Sequence, residues 1–372
     1  MPPQVTFIVP CYKLAHLLPD CVSSILAQTY QDYEILIMDD CSPDETPRVA
    51  RSFTDPRVKH IRNEPNLGHL RNYNKGIELA KGKYIWLISA DDCLRSPDVL
   101  RRYVQLLDAN PEIGYAFCSA MRLEDGEVKE LLNYSVQSPN DEVMDGRRFL
   151  RRLIYANTVV APSAMARKEC YEKVSMFPLN MPWGGDWYLW CVFALRYDVA
   201  YFAEPMVCYR RHPLSMTNHL MNEHIDSCSG EDIELPWIIK KEAKKLGYES
   251  VVKHCRRAIA REYGRTMATQ RYTAGNYDMS VENFESSLKK HASDNREYRW
   301  IEARAYAVMG DHYYWQREYS KAQESYLQAL NKGQWMPKAL AHYLLLRSGN
   351  LGMRARQSLG ALRRMVSRKA AE

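Results

Sequence analysis

Two apolar runs end in paired aspartates. YEILIM leads into Asp39-Asp40, and YIWLIS with Ala90 leads into Asp91-Asp92. A carboxylate at the end of a buried strand is costly unless it is paired, hydrogen-bonded or bound to a cation. Asp91-Asp92 suits a hard divalent ion, Mg²⁺ or Mn²⁺, that bridges to diphosphate oxygens. Such an ion neutralises the charge growing on a departing nucleotide. The alternative is that Asp92 caps the turn before Ser96. Asp39-Asp40 either opens the turn at Cys41-Ser42-Pro43-Asp44 or sets Asp40 to accept a hydrogen bond from a nucleobase N–H. A third stretch, Pro182-Trp183-Gly184-Gly185-Asp186, places a carboxylate at the head of an aromatic-rich helix. Its two glycines let backbone approach a ligand closely. Asp186 there is either an N-cap or a general base within reach of an acceptor hydroxyl.

The elements behind these residues alternate. Val5–Pro10, Tyr33–Met38, Val58–Ile61, Tyr84–Ser89 and Ile113–Leu123 read as strands. Amphipathic helices are expected at Ala15–Gln28, Leu67–Lys81 and Ser96–Ala109, the last with Ser96 as N-cap and Pro97 in the first turn. Continuous apolar strands separated by helices predict an α/β fold, a Rossmann-like, mostly parallel sheet flanked by helices on both faces. Ligands of such sheets bind outside the carboxyl ends of the strands, where this chain has Pro10-Cys11-Tyr12, Asp39-Asp40 and Asp91-Asp92. Further on, a helix near Arg147–Tyr155, a segment near Thr158–Ala166, a helix after Gly184 and a strand at Val199–Arg210 are expected.

After about residue 230 the pattern is helical only, so an all-α region follows the sheet domain. Gly275-Asn-Tyr with Phe284 and Leu288 recurs 42 residues later as Arg317-Glu-Tyr with Tyr326 and Leu330. Tyr306, Met309, Gly310, Tyr313, Ala322, Tyr326 and Ala329 fall at tetratricopeptide spacing. Either tetratricopeptide-like hairpins or a plain helical bundle accounts for this. The boundaries read from the chain are 1–225, 226–350 and 351–372. The last stretch holds Arg354, Arg356, Arg363, Arg364, Arg368 and Lys369 flanking an apolar stripe of Ala355, Leu359, Leu362 and Val366. It is either a basic amphipathic helix for an anionic membrane surface or a solvated terminus.

Composition bounds the setting. The ten cysteines form no C-x-x-C pair and no zinc spacing, and no charged, cleavable leader opens the chain. Reduced thiols and a cytoplasmic location, either free or peripheral at the inner face of the cell membrane, are therefore expected. The net charge of +6 is mild, and no nucleic-acid reader motif accompanies it. No G-x-G-x-x-G follows the first strand, which disfavours a nicotinamide dehydrogenase. PCYKLAHLL stands where a sugar-phosphate nucleotidyltransferase has its Gly-rich loop.

VTFIVPCYK, ILAQTYQDYEILIMDDCSPDET and NLGHLRNYNKGIELAKGKYIWLISADD, in this order and spacing, resemble glycosyltransferase family 2 over roughly 4–215. The spore-coat polysaccharide type is nearest in the IMDD and Q-T-Y segments. The resemblance implies a GT-A fold and inverting transfer from a nucleotide-sugar donor, UDP-linked by default, to a glycan or lipid-linked acceptor of a bacterial surface polysaccharide. It implies that Pro10 and Tyr12 frame the base, with Asp40 on its imide N–H and Arg71 beside base or phosphates. Asp91 would approach ribose or sugar, Asp92 would ligate the metal, and His212 in YRRHPLS would reach metal or pyrophosphate. His212 taken alone is equally a surface histidine after a strand. Asp186 matches the family's catalytic base. Departures are Ser89 for the first aspartate of the acidic motif, Cys41 for a common Gly, Lys13 for an expected Asn and Gly185 for Glu. The helical region would hold acceptor, a protein partner or a second protomer. A competing class is an interaction scaffold whose sheet domain is inactive.

Overall fold

The structure, a computed structural model, describes residues 2–223, 225–269, 281–333 and 336–348. The basic stretch 351–372 and the first repeat's Gly275–Tyr277 lie outside these. The first strands are β1 (Val5–Cys11), β2 (Tyr33–Asp39), β3 (Val58–Arg62) and β4 (Tyr84–Leu87). They are joined by α1 (Leu18–Leu26), α2 (Thr46–Ser52) and α3 (His69–Leu79). Next come β5 (Cys93–Leu94), α4 (Val99–Ala109), β6 (Ile113–Glu124), β7 (Glu127–Leu131), β8 (Glu142–Met144) and α5 (Gly146–Leu153). β9 (Met165–Arg167), α6 (Lys168–Lys173), α7 (Gly185–Ala194), β10 (Asp198–Arg210) and α8 (Met216–Glu223) follow.

All ten strands form one sheet of order β3-β2-β1-β4-β9-β6-β10-β5, with β7 on β6 and β8 on β10. β3, β2, β1 and β4 run parallel, as do β6 and β10. The short β9 sits antiparallel between β4 and β6. This is the mostly parallel, GT-A-like sheet expected. Every residue of β1 and β2 is buried, as helices on both faces require. Phe7 stacks on Trp86 with centroids 5.5 Å apart, and Trp86 donates its indole N–H to the Pro162 carbonyl at 2.8 Å.

One boundary differs. α4 starts at Val99, not Ser96, and its cap position, Asp98, makes no side-chain cap. Gln28 takes that part from a distance: its Oε1 accepts the Leu100 N–H at 2.9 Å and its Nε2 donates to the Ser96 carbonyl at 2.8 Å. The Ser96 backbone is thereby tied to the end of α1 rather than to its own helix.

The chain divides into two compact units, Met1–Glu231 with Lys241–Val251, and Asp232–Lys240 with Val252–Glu372. The helices from residue 225 on are α9 (Ile225–Lys245), α10 (Glu249–Thr269), α11 (Val281–His291), α12 (Asn295–Trp315), α13 (Tyr319–Asn331) and α14 (Pro337–Arg347). In the second unit α12 and α13 form an antiparallel hairpin. A Cβ on Gly310 would lie 2.6 Å from the Tyr326 ring, so only glycine lets that ring approach. Among the described residues no helix is long and apolar enough to cross a membrane, and nine cysteines are free thiols.

Candidate active site

Backbone pairing brings the strand ends to one edge. Cys11 is in register with Asp39. Asp40 N–H donates to the Cys11 carbonyl at 3.0 Å, and Ala90 N–H to the Pro10 carbonyl at 3.1 Å. Residues 10–12, 39–40 and 90–92 therefore lie side by side. Pro10 is buried, while Tyr12 is 43% exposed at the rim, with the Lys13 ammonium 5.0 Å from its ring centre.

The two aspartates after β2 are both buried but differ in task. Asp39 accepts the Ser42 N–H at 2.9 Å and Arg62 Nη1 at 2.7 Å. Burial opposes its charge, yet these hydrogen bonds win and hold it below the ordinary carboxylate range. Asp40 holds the loop entering α3. Its Oδ1 accepts Leu67 N–H at 2.8 Å and Asn63 Nδ2 at 2.9 Å, and its Oδ2 accepts Gly68 N–H at 2.9 Å. Three of about four lone-pair sites are thus spent on the protein, leaving one on Oδ2 for a ligand. Arg71 is exposed on the first turn of α3.

Asp91 and Asp92 also divide the work. Asp92 is buried, and its Oδ1 accepts the Arg210 N–H at 2.9 Å. Burial first, and then the charge of Asp91, push its titration well above the ordinary range. Asp91 Oδ2 accepts a hydrogen bond from His212 Nε2 at 2.9 Å, while its Oδ1 is buried and takes none from the protein. His212 is therefore tied to Asp91 rather than free at the surface. Among the described residues no cluster of three or more His, Cys, Asp or Glu side chains forms a closed cation cage. Mg²⁺ binds through one or two carboxylates and completes its shell with water and substrate phosphates. The orphaned Asp91 oxygen beside His212 fits such a cation, and Asp92, with Oδ1 on the Arg210 N–H, keeps its Oδ2 for one as well. Asp92 does not cap the turn before Ser96.

Asp186 lies in the first turn of α7, one residue inside it, while Gly184 holds the cap position. The N-cap reading is thereby excluded. Its Oδ1 accepts the Trp187 N–H at 2.7 Å and its Oδ2 accepts Asn157 Nδ2 at 3.1 Å. Burial outweighs both and raises its pKa to about 6, which suits a base at neutral pH. Tyr73 packs between the rings of His69 and Phe177, with centroids 5.5 and 5.3 Å away. Burial leads in raising its hydroxyl's titration, followed by the charges of Asp91, Asp186 and Asp92. Sequence reasoning missed Asn157, which donates to Asp186 and lies in a stretch with no local signal.

Residues 6–174 match the family described as Glycosyl transferase family 2. This region is a family 2 glycosyltransferase domain. Relatives agree. An uncharacterized glycosyltransferase of Rickettsia prowazekii is 27% identical over 328 residues, 80% of this chain and 96% of that one. The succinoglycan biosynthesis protein ExoO of Rhizobium meliloti is 39% identical over 107 residues, 29% of this chain and 30% of that one. Among solved structures, S. aureus TarS 1–349 in complex with UDP-GlcNAc has a TM-score of 0.61 at 14% identity, covering 93% of this chain and 92% of that one. At that identity the likeness is one of fold, the GT-A fold.

The domain's departures from family residue types gain a physical meaning here. Lys13 and Cys41 have φ of 59° and 60°, the left-handed region that glycine and asparagine tolerate best. The missing Asn and Gly were the residues suited to these two turns. The turns are joined, since Lys13 N–H donates to Ser42 Oγ at 3.2 Å.

Proposed function

We propose that this glycosyltransferase moves a sugar, with inversion, from a UDP-linked donor to a hydroxyl of a glycan or lipid-linked acceptor during surface-polysaccharide assembly. The observation that carries the reading is Asp186, a carboxylate in the first turn of α7, held by Asn157 and the Trp187 N–H and raised to about 6. The polysaccharide product class is supported by ExoO's role in succinoglycan biosynthesis, and the UDP donor by the TarS complex.

Tyr12 and Pro10 frame the base, the free Oδ2 lone pair of Asp40 accepts its imide N–H, and Arg71 lies beside the phosphates. Asp92 and His212, with Asp91 beside them, would hold Mn²⁺ or Mg²⁺; bound there, the cation supplies charge neutralisation at the leaving diphosphate. Asp186 takes the proton of the acceptor hydroxyl. The oxygen then bonds to the anomeric carbon as the carbon–oxygen bond to the diphosphate breaks, its electron pair leaving with the nucleotide. The α12–α13 hairpin, read as tetratricopeptide-like, offers a surface for a protein partner or second protomer, and 351–372 a contact for anionic membrane.

Thermal shift with UDP, dTDP, GDP and CDP, each with and without Mn²⁺, tests the donor side. A shift with UDP that needs Mn²⁺ supports the reading; no shift with any nucleotide would sink it.

A further inference from the structure

The loop that presents Asp186 is pinned at three points. Asn74 brackets Phe177, donating from Nδ2 to its carbonyl and accepting its N–H, each at 2.9 Å. His69 Nε2 lies 3.0 Å from the Pro182 carbonyl. A carbonyl only accepts, so the ring carries its proton on Nε2. The third pin comes from α9, 47 residues along the chain from Gly184. Glu231 is 5% exposed. Its carboxylate accepts the Trp183 N–H at 2.9 Å and the Gly184 N–H at 2.6 Å.

α7 needs such a group. Its cap position is a glycine, with no side chain to offer. N–H groups at a helix start face outward, where the helix dipole favours negative charge, and an ionised acceptor makes stronger hydrogen bonds than a neutral one. A Cβ on Gly184 would lie 3.4 Å from Glu231 Oε2, so the carboxylate sits directly against the loop backbone.

We propose that Glu231 is a positioning residue for sugar transfer: by fixing the Trp183–Gly184 peptides it sets the direction in which Asp186 faces the acceptor. It acts through the loop, because Asp186 takes its own hydrogen bonds from Asn157 and Trp187. The assignment rests on the reading of Asp186 as base. It also lies outside the family match, which ends at residue 174.

The test uses the full chain with Glu231→Gln and Glu231→Ala beside Asp186→Asn. Gln keeps the shape and one acceptor oxygen but loses the charge, and it carries the test if the Ala variant does not fold. Hydrogen exchange needs no donor. Amides 183 and 184 are expected to exchange about tenfold faster in Glu231→Gln, with α3 unchanged. UDP release from UDP-N-acetylglucosamine with Mn²⁺ is expected to lose about 10–100-fold in kcat, the scale of a small misplacement. The donor KM should stay the same, and the acid limb of the rate profile should move down as Asp186 gains water. Unchanged exchange overturns the proposal, and alone decides if the wild type does not turn over this sugar. Full kcat in Glu231→Gln beside an inactive Asp186→Asn also overturns it. Full turnover by Asp186→Asn instead removes the base reading on which it rests.

Discussion

Asp91 hangs from a strand end whose place is fixed by backbone pairing to β1, whereas Asp186 sits on a loop held by side chains from separate segments. On the donor side, Pro10, Tyr12, Asp40 and Asp91 follow neighbouring strands in parallel register. A main-chain ladder of that kind is indifferent to most side-chain changes. On the acceptor side, Asn74, His69, Asn157 and Glu231 each contribute one or two hydrogen bonds. The donor side is consequently robust in position and tuned by charge, while the acceptor side is tuned by position.

The largest expected effect would break this comparison outright. Asp186→Asn should lose about 10²–10⁴-fold in turnover while keeping its nucleotide-induced thermal shift; near-wild-type turnover would mean that the loop carries no base. In the wild type, activity should fall below about pH 6 as Asp186 takes up a proton.

Next in size is the split between the neighbouring aspartates. Asp92→Asn is expected to weaken Mn²⁺-dependent UDP binding about tenfold or more. Asp91→Asn, beside the ion, should keep more of it. Titration calorimetry with and without Mn²⁺ reads both. The reverse ranking would move the metal to Asp91.

A third prediction concerns stability. Asp186 has its folded pKa raised to about 6 from 3.8, so the folded state holds the extra proton between those values. Its contribution is present below about 4 and is lost as pH rises through about 6. At pH 8 Asp186→Asn should therefore unfold at higher urea, by on the order of 1–2 kcal/mol after discounting for partial solvent access. No gain at pH 8 over pH 5 would show the carboxylate to be well solvated. The smallest effect belongs to the donor side. Cys41→Gly relieves a left-handed residue and should add about 0.5–1 kcal/mol without altering turnover; a loss of stability would mean that the thiol packs usefully.

Legibility follows the same division. Strands β1–β4, β6 and β10 and the carboxylates after β2 and β4 were readable as contiguous apolar runs, whereas the short β5, β7 and β8 were not. Asp186 and His212 were found through family resemblance, since locally each fitted a blander part equally well. What escaped depended on distance along the chain. Gln28 supplying the cap expected of Ser96, Asn157 on Asp186 and Glu231 on Gly184 are meetings between remote segments, and no local pattern encodes them. The partners of Asp91 and Asp92 are a further case, since His212 and Arg210 lie more than a hundred residues away.

The hydrogen bond from Ala90 to Pro10 has a consequence for engineering. Side chains alternate along paired strands, so one residue inserted between Tyr84 and Asp91 would turn the acidic pair away from the cleft. The tight turn Asp125-Gly126 between β6 and β7 opens at the same edge, since β6 runs parallel to β4 across β9, but it lies outside the β1–β4 pairing. A library that lengthens this hairpin while holding the spacing from Val5 to Asp92 constant would spare the donor cleft and vary what surrounds it.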